Sequence, residues 1–263
     1  MAAAPLITLL TDFGTQDAYV GMMKGVIAGL CPQARVIYLT HEIPPQDLLA
    51  ARFNLLNAYP YFPAGTIHVA VVDPGVGTAR RGVAIQTEAG WLVGPDNGIF
   101  SGILEAHPAL AAVTLTRPDY WRTDDPSTTF HGRDIFAPVA AHLANGVPLA
   151  DLGELIGVES LAVLEIPAVT WAGDRVQGSV QYCDRFGNLI TNLAPQHLPA
   201  GPWQAQLGET LLPVARTYGE TPLGQPLALV GSHGWLEIAV NGGSARQQFQ
   251  AGVGSPVWVM PAG

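Results

Sequence analysis

The stretch Val71-Val72-Asp73-Pro74-Gly75-Val76-Gly77-Thr78-Ala79-Arg80-Arg81-Gly82 decides how the first half of the chain is interpreted. It begins as the end of an apolar, β-branched run at 66–72, which is typical of a buried strand. That strand ends at Asp73, because Pro74 fixes its own φ and disfavours helix at the residue before it. The pattern therefore predicts a shaped loop at a strand tip that carries one carboxylate, Asp73, and a guanidinium, Arg80.

Two interpretations of this loop are open from the stretch itself. In open α/β sheets ligands bind beyond the carboxyl ends of strands, which makes Asp73 and Arg80 candidates for a binding or catalytic site. In the other interpretation Asp73 caps backbone amides and the arginines are solvated. A dinucleotide fingerprint is excluded, because the glycine spacing does not match and the chain continues as a strand over 83–87 instead of a helix.

Strand and helix patterns alternate before this loop. They predict strands at 6–10, 36–39 and 66–72, a helix up to Leu30 with Asp17 as its N-cap, and a helix at 47–58. Such an order favours a mainly parallel sheet with flanking helices. Further along, the sequence predicts strands at 83–87, 91–93 and 112–115, and a helix at 135–145 with Asp134 as its N-cap.

The pattern changes near residue 165. After a predicted linker at 167–173, short β-branched or alternating stretches are separated by glycine and proline, which favours a small β-barrel or sandwich. The sequence thus predicts an α/β protein with an N-terminal α/β domain at 1–165 and a C-terminal β-barrel-like domain at 166–263.

Composition narrows the possible partners. The 263 residues carry a net charge of −9 and Lys24 is the single lysine, so we expect no nucleic-acid partner. No run of about 18 apolar residues occurs and the first residues lack a secretory signal, so we expect a cytoplasmic protein with no membrane partner. The two cysteines, Cys31 and Cys183, form no Cys-x-x-Cys pair and indicate neither a disulfide framework nor a zinc site.

Two further groups of residues have both a structural and a functional interpretation. His131 precedes an apolar helix. Metal binding there would need further ligands, and the positive charges of the nearby arginines oppose a divalent cation, so we expect no metal. Phe186 and Asn188 follow a strand, where Phe186 is either a core residue of a turn or a stacking face, and Asn188 offers a donor and acceptor pair suited to a purine edge.

Six short motifs occur in an order that carries a family resemblance. They are Thr11-Asp12-Phe13-Gly14, Asp73-Pro74-Gly75-Val76-Gly77-Thr78 with Arg80, Gly94-Pro95-Asp96-Asn97-Gly98, Phe130-His131-Gly132-Arg133-Asp134, Phe186-Gly187-Asn188-Leu189-x-Thr191-Asn192, and Leu236-Glu237-Ile238-Ala239-Val240-Asn241. Together they resemble the S-adenosyl-L-methionine (SAM) hydroxide adenosyltransferases, or SAM hydrolases, which are relatives of the fluorinase and chlorinase enzymes.

The resemblance implies a homotrimer in which SAM binds between the N-terminal domain of one subunit and the C-terminal domain of its neighbour. By motif, it implies that the water-activating residues are Asp73, Arg80 and His131. It also implies that Asp12 holds the ribose hydroxyls and that SAM is a substrate, with no cofactor. The substrate-binding residues that it implies in the second half are Asp184 for the methionine amino group, Phe186 and Asn188 for adenine, and Ser232, Glu237 and Val240 in the remaining ligand-binding loop.

The activity implied is hydrolysis of SAM to adenosine and L-methionine. Methionine departs as a neutral thioether, so the enzyme has to supply a nucleophile in line with the C5′–S bond. Arg80 favours hydroxide by its charge, and His131 orients the water or takes its proton. The alternatives are a SAM-dependent halogenase, which has no use for a proton-accepting histidine, and a non-enzymatic module that binds SAM or adenosine.

Overall fold

The computed structural model describes residues 4–262. The chain divides into two compact units, an N-terminal unit, Met1–Leu164, and a C-terminal unit, Glu165–Gly263. Each unit has its own cluster of buried apolar side chains. The domain boundary that the sequence places between 165 and 166 stays a prediction.

The N-terminal unit is a sheet with helices. Its strands are β1 (Leu6–Thr11), β2 (Arg35–Thr40), β3 (Thr66–Val71), β4 (Gly82–Gln86), β5 (Gly90–Pro95), β6 (Ala111–Thr114) and β7 (Glu154–Ile156). Its helices are α1 (Tyr19–Leu30), α2 (Leu48–Ala58), α3 (Ser101–Ala106) and α4 (Ala137–Ala144). The sequence pattern located most of these elements but missed β7 and the short α3.

The sheet has the order β2-β1-β3-β5-β4-β6-β7. β2, β1, β3 and β5 are parallel neighbours, and β6 runs in the same direction because it and β5 are both antiparallel to β4. Every residue of β3 is buried, as expected for a central strand covered on both faces. The predicted mainly parallel sheet with flanking helices is confirmed, with β4 and β7 as its reversed strands.

Alternate residues of the central strands face the largest core cluster. Ile67, Val69 and Val71 of β3 pack in this cluster with Met23 and Ile27 of α1. Side chains of α4 complete it. This packing fixes α4, and therefore the segment just before it, against the carboxyl ends of the central strands.

Both predicted N-caps in this unit are wrong. Ala18 occupies the N-cap of α1, so Asp17 lies one residue too early. Asp134 lies inside a single π-helical turn at Gly132–Phe136 that precedes α4. Pro138 has no N–H to bond the Asp134 carbonyl, which instead accepts a hydrogen bond from the Arg122 N–H at 2.9 Å.

The C-terminal unit is an antiparallel sheet with one short helix, α5 (Ala245–Phe249). Its strands are β8 (Thr170–Ala172), β9 (Arg175–Cys183), β10 (Leu189–Thr191), β11 (Trp203–Leu207), β12 (Thr210–Leu212), β13 (Pro226–Val230), β14 (Leu236–Val240) and β15 (Pro256–Pro261). The predicted linker at 167–173 is therefore partly wrong, because β8 lies within it and pairs with β9.

The sheet of the C-terminal unit curls almost into a barrel. Its order is β12-β11-β15-β9-β10-β14-β13, and the segment just after β12 returns to β13. There the Ala215 N–H donates to the Ala228 carbonyl, and the Ala228 N–H donates to the Pro213 carbonyl, both at 2.9 Å. These bonds link the two ends of the sheet, and the predicted small β-barrel is confirmed.

Candidate active site

Parallel pairing of β1 with β3 brings two of the candidate carboxylates to one edge of the sheet. Thr11 lies opposite Val71 in the register, so Asp12 and Asp73 lie one and two residues beyond the paired ends. The end of β3 is fixed further by Asn97, whose side-chain amide donates to the Val72 carbonyl at 2.9 Å. Asp73 therefore projects from a rigid element, as the strand-tip hypothesis requires.

The loop after Asp73 packs tightly against the segment that precedes His131. Gly77 has a φ of +75°, and a Cβ at this position would lie 2.2 Å from the Thr128 carbonyl oxygen. Glycine is therefore required both for the backbone conformation and for the close approach. This contact places Arg80, which ends the loop, next to His131, which is distant in sequence.

Asp73, Arg80 and His131 form one cluster. Arg80 is paired with Asp73 by two nearly parallel hydrogen bonds, from Nε to Oδ1 at 3.0 Å and from Nη2 to Oδ2. The same Nη2 lies 3.2 Å from Nδ1 of His131. Both partners of the ion pair are almost fully buried. The structure thus brings together the three residues for which the resemblance implies water activation.

The aromatic ring of Phe136 lies under this cluster. It belongs to the π-helical turn, is fully buried, and lies 5.6 Å from the Arg80 guanidinium carbon. Its centroid is 6.4 Å from that of His131, with the rings nearly perpendicular. The π-helical turn therefore positions His131, which directly precedes it, and provides the apolar surface on which Arg80 rests.

The hydrogen-bond pattern fixes the tautomer of a neutral His131. A guanidinium has no acceptor, so Nδ1 must accept the hydrogen bond from Arg80, and the ring proton is on Nε2. Burial and the charge of Arg80 lower the pKa of His131, whereas Asp73 and Asp134 act in the opposite direction. His131 is thus held as a neutral hydrogen-bond donor through Nε2.

Asp73 has a different balance of influences. Burial raises the pKa of its carboxyl, and this effect exceeds the opposing influence of the Arg80 charge and hydrogen bonds. A carboxylate whose pKa is raised is a better proton acceptor than an exposed one. Asp73 therefore combines a fixed orientation with increased basicity.

A cavity of about 330 Å³ opens beside the cluster. Its lining includes Asp73, His131, Asp12 and Gln46. Arg80 is not among its lining residues within 4–262 and lies behind Asp73 and His131. The arrangement can present a carboxylate and an imidazole N–H to a molecule in the cavity while the guanidinium holds both groups from behind.

The Asp12 carboxylate is itself oriented by the backbone. Its Oδ2 accepts a hydrogen bond from the Gln46 N–H at 2.8 Å. The preceding Thr11 is fully buried, and its hydroxyl lies 2.9 Å from Nδ1 of His41. Asp12 therefore faces the cavity with one oxygen engaged and the other available to a ligand.

No group of three or more His, Cys, Asp or Glu side chains within residues 4–262 is arranged to hold a metal ion. In the same part of the chain, no helix has both the length and the apolar character needed to cross a membrane.

The C-terminal unit has a second group of candidate residues. Asp184 accepts hydrogen bonds from the Asn188 backbone N–H at 2.8 Å and from its side-chain amide at 2.9 Å. Between them, Gly187 has a φ of +83°, and a Cβ there would lie 2.0 Å from the Ser244 hydroxyl. This tight turn leaves Phe186 78% exposed at its tip, available for stacking.

A cavity of about 630 Å³ lies next to this turn. It is lined by Phe186, Asn188 and Val240 from the predicted set, together with Tyr218, Gly242, Gly243, Ser244 and Gln247. The phenyl ring of Phe186, the side-chain amide of Asn188 and the hydroxyl of Ser244 suit a flat heterocycle with polar edges.

Glu237 lies behind this cavity and is almost fully buried. The Tyr218 hydroxyl donates to its Oε1 at 2.8 Å, and Nε2 of His233 lies 3.0 Å from its Oε2. Burial and the bond to Glu237 raise the pKa of Tyr218 to about 12. Both oxygens of Glu237 are thus engaged within the unit. Ser232 lies on an exposed turn and is not among the lining residues of this cavity within the described part.

The sequence did not point to Gln46 or Tyr218. Gln46 follows Pro44-Pro45, which indicates a turn but not which backbone N–H will face Asp12. Tyr218 lies in an irregular loop with no periodicity. Both positions depend on non-local contacts, because Gln46 is 34 residues from Asp12 and Tyr218 is 19 residues from Glu237.

Comparison with protein families assigns both halves of the chain. Residues 7–153 match the model of the SAM hydroxide adenosyltransferase N-terminal domain, and residues 178–258 match that of the C-terminal domain. The chain belongs to the SAM hydroxide adenosyltransferase family. The resemblance seen in the six motifs is thereby confirmed.

Relatives of this chain are similar to it over nearly their whole length. A Thermus thermophilus protein named (R)-S-adenosyl-L-methionine hydrolase is 45% identical over 95% of this chain and 98% of its own. An Actinoplanes fluorinase is 26% identical over 98% of both chains. The crystal structure of an uncharacterized conserved protein from Thermotoga maritima superposes with a TM-score of 0.89 at 34% identity, covering 97% of this chain and 99% of that one.

Proposed function

We propose that this protein hydrolyses SAM to adenosine and L-methionine by in-line attack of water or hydroxide on the ribose C5′. The observation that carries the proposal is the Asp73–Arg80–His131 cluster, with Asp73 and His131 on the cavity that Asp12 also lines. Family membership and the names of the 45% identical relatives support the same activity.

The reaction places few demands on the leaving group. A new C5′–O bond forms as the C5′–S bond breaks, both electrons of that bond remain on sulfur, and methionine leaves as a neutral thioether. One proton is lost from the water. We propose no metal or redox cofactor for this step, because the sulfonium already activates C5′ and no electrons are exchanged.

The three residues have distinct roles in this mechanism. The His131 Nε2–H donates to the water oxygen and orients its lone pair toward C5′. The Asp73 carboxylate, whose pKa is raised by burial, accepts the proton that the water loses. Arg80 positions both groups and stabilises negative charge on the nucleophile through its own charge.

The substrate is proposed to bind as the resemblance implies. Asp12 binds the ribose hydroxyls through the oxygen that Gln46 leaves available. In the C-terminal unit, Phe186 and Asn188 bind adenine, Asp184 binds the methionine amino group, Ser232 and Val240 complete the site, and Glu237 supports it from behind through Tyr218 and His233. Asn188 fits this role because Asp184 fixes its amide orientation.

We also propose a cytoplasmic homotrimer in which the N-terminal residues of one copy and the C-terminal residues of another bind the same SAM molecule. The support is that the proposed catalytic and adenine-binding residues belong to different units. A trimer found by light scattering at assay concentration, losing activity when diluted to monomers, is the expected behaviour.

The direct test is incubation of purified protein with SAM, followed by chromatography. We expect adenosine and methionine in equal amounts. Appearance of 5′-halo-5′-deoxyadenosine in chloride or fluoride buffer would instead identify a halogenase, and SAM binding without any product would identify a binding module.

A further inference from the structure

Gln46 has an unusual backbone conformation for a residue with a side chain. Within residues 4–262, it and Gln250 are the two non-glycine residues with positive φ, at 65° and 51°. Gln250 is the C-cap of α5, a position where left-handed residues are common. Gln46 ends no helix, and it lies one residue before Asp47, the N-cap of α2. Its conformation therefore needs another explanation.

The conformation has a clear consequence for the cavity of the N-terminal unit. It directs the Gln46 N–H to Oδ2 of Asp12, at 2.8 Å. Glycine would adopt the same φ without steric cost and would supply the same N–H. The hydrogen bond to Asp12 therefore accounts for the backbone conformation but not for the presence of a glutamine side chain.

The side chain has no evident role in holding the fold. Gln46 is exposed, and its carboxamide forms no hydrogen bond with any other residue in the described part of the chain. It does line the cavity with Asp12, Asp73 and His131. Strained backbone of this kind is concentrated at active sites and ligand clamps.

We infer that Gln46 is a substrate-contacting residue whose carboxamide hydrogen-bonds the ribose hydroxyls held by Asp12. The inference rests on the proposed function and adds a binding residue to it. The geometry supports this part of the substrate, because Gln46 is tied through its own N–H to the carboxylate that is proposed to bind the ribose. A carboxamide offers one acceptor and two donors, which match a vicinal diol.

The test compares Gln46→Gly with the matched variant Gln250→Gly. Both replace a left-handed glutamine by glycine, but Gln250 is not among the lining residues of the cavities described above. We expect Gln46→Gly to raise the KM for SAM and the Kd for adenosine by the same factor, about three- to tenfold, with kcat within about twofold. Gln250→Gly should leave all three constants unchanged.

A third variant separates the side chain from the backbone. Gln46→Ala keeps the strain of a Cβ at positive φ and removes the carboxamide, so it should weaken binding as much as Gln46→Gly. Weakening by Gln46→Ala but not by Gln46→Gly would assign the effect to backbone strain and overturn the inference. So would wild-type constants in Gln46→Gly.

Failure of the proposed function is distinguishable from failure of this inference. If the wild-type protein forms no adenosine and binds none in calorimetry, both are overturned. If the wild type is active and Gln46→Gly matches it, the inference is overturned and the proposed function stands.

Discussion

Two Asp–Arg clusters near His131 in the N-terminal unit share chemistry and differ in use. In one, Asp73 is paired with Arg80, which also contacts His131. In the other, Asp134 is fully buried and paired with both Arg122 and Arg133. Asp134 lies in the π-helical turn that begins directly after His131, three residues further along the chain, so the two clusters are almost adjacent.

The two carboxyl groups differ in how far hydrogen bonds and nearby positive charges offset the effect of burial on the pKa. At Asp134, burial acts to raise the pKa, but hydrogen bonds from Arg133, Arg122 and the Ser127 N–H outweigh it, and the pKa lies well below the ordinary range. At Asp73, burial outweighs a single arginine and the pKa is raised. A buried carboxylate whose pKa is lowered by several hydrogen bonds stays ionised and anchors the structure. One whose pKa is raised, and which lies beside a cavity, is suited to proton transfer.

The largest expected effect is on turnover, in the isosteric pair Asp73→Asn and Asp134→Asn. Removing the proposed proton acceptor should lower kcat roughly 10²- to 10⁴-fold. Asp134→Asn, assayed where circular dichroism shows it folded, should stay within about tenfold of the wild type. Equal losses in the two variants would show that the clusters do not differ as described.

The next largest effect is on the free energy of unfolding, to which we expect Asp134 to contribute more than Asp73. Asp134→Asn removes the negative charge to which Arg122, Arg133 and the Ser127 N–H donate four hydrogen bonds, and it should lower the free energy of unfolding by about 2–4 kcal/mol. Arg122→Lys is the control, because Arg122 is 43% exposed and Arg133 still neutralises the carboxylate; its cost should stay below about 1 kcal/mol. Denaturant titration measures both, and indistinguishable midpoints would contradict the anchor role.

The smallest effect is on the pH profile of kcat/KM. Asp73 must be ionised and His131 neutral; burial raises the pKa of Asp73, and burial together with the Arg80 charge lowers the pKa of His131. Activity should therefore fall with decreasing pH, approaching a slope of about two log units per pH unit below both values. His131→Gln retains an acceptor for Arg80 and a donor to water, so it should keep activity with a slope of about one. An unchanged slope of two would remove His131 from the titration.

Much of the fold could be predicted from the sequence, because the central strands are strongly patterned. The buried run ending at Asp73 correctly located β3, and the change of pattern near residue 165 correctly indicated the β-rich second half. The helix starts were less accessible. Asp17 and Asp134 are favourable N-cap residues by type, but α1 begins one residue too late for Asp17 to be its N-cap, and Asp134 lies inside the π-helical turn, where it forms salt bridges with two arginines.

The candidate site could be predicted as a set of motifs but not as a geometry. Asp73, Arg80 and His131 were identified by resemblance, and the structure adds that Arg80 lies behind the other two residues. That order depends on Gly77 meeting the Thr128 carbonyl, a contact between segments that are distant in sequence. Gln46 and Tyr218 line the cavities because of similar non-local contacts, which the periodicity of the sequence does not predict.

The origin of the 5′ oxygen of adenosine tests the central claim most directly. A single turnover in H₂¹⁸O, with enzyme in excess over SAM, separates direct attack by water from attack by the Asp73 carboxylate itself. If Asp73 acts as a base toward water, the adenosine carries ¹⁸O at its 5′ position. Unlabelled adenosine, with ¹⁸O recovered in the side chain of Asp73, would show an ester intermediate and contradict the account.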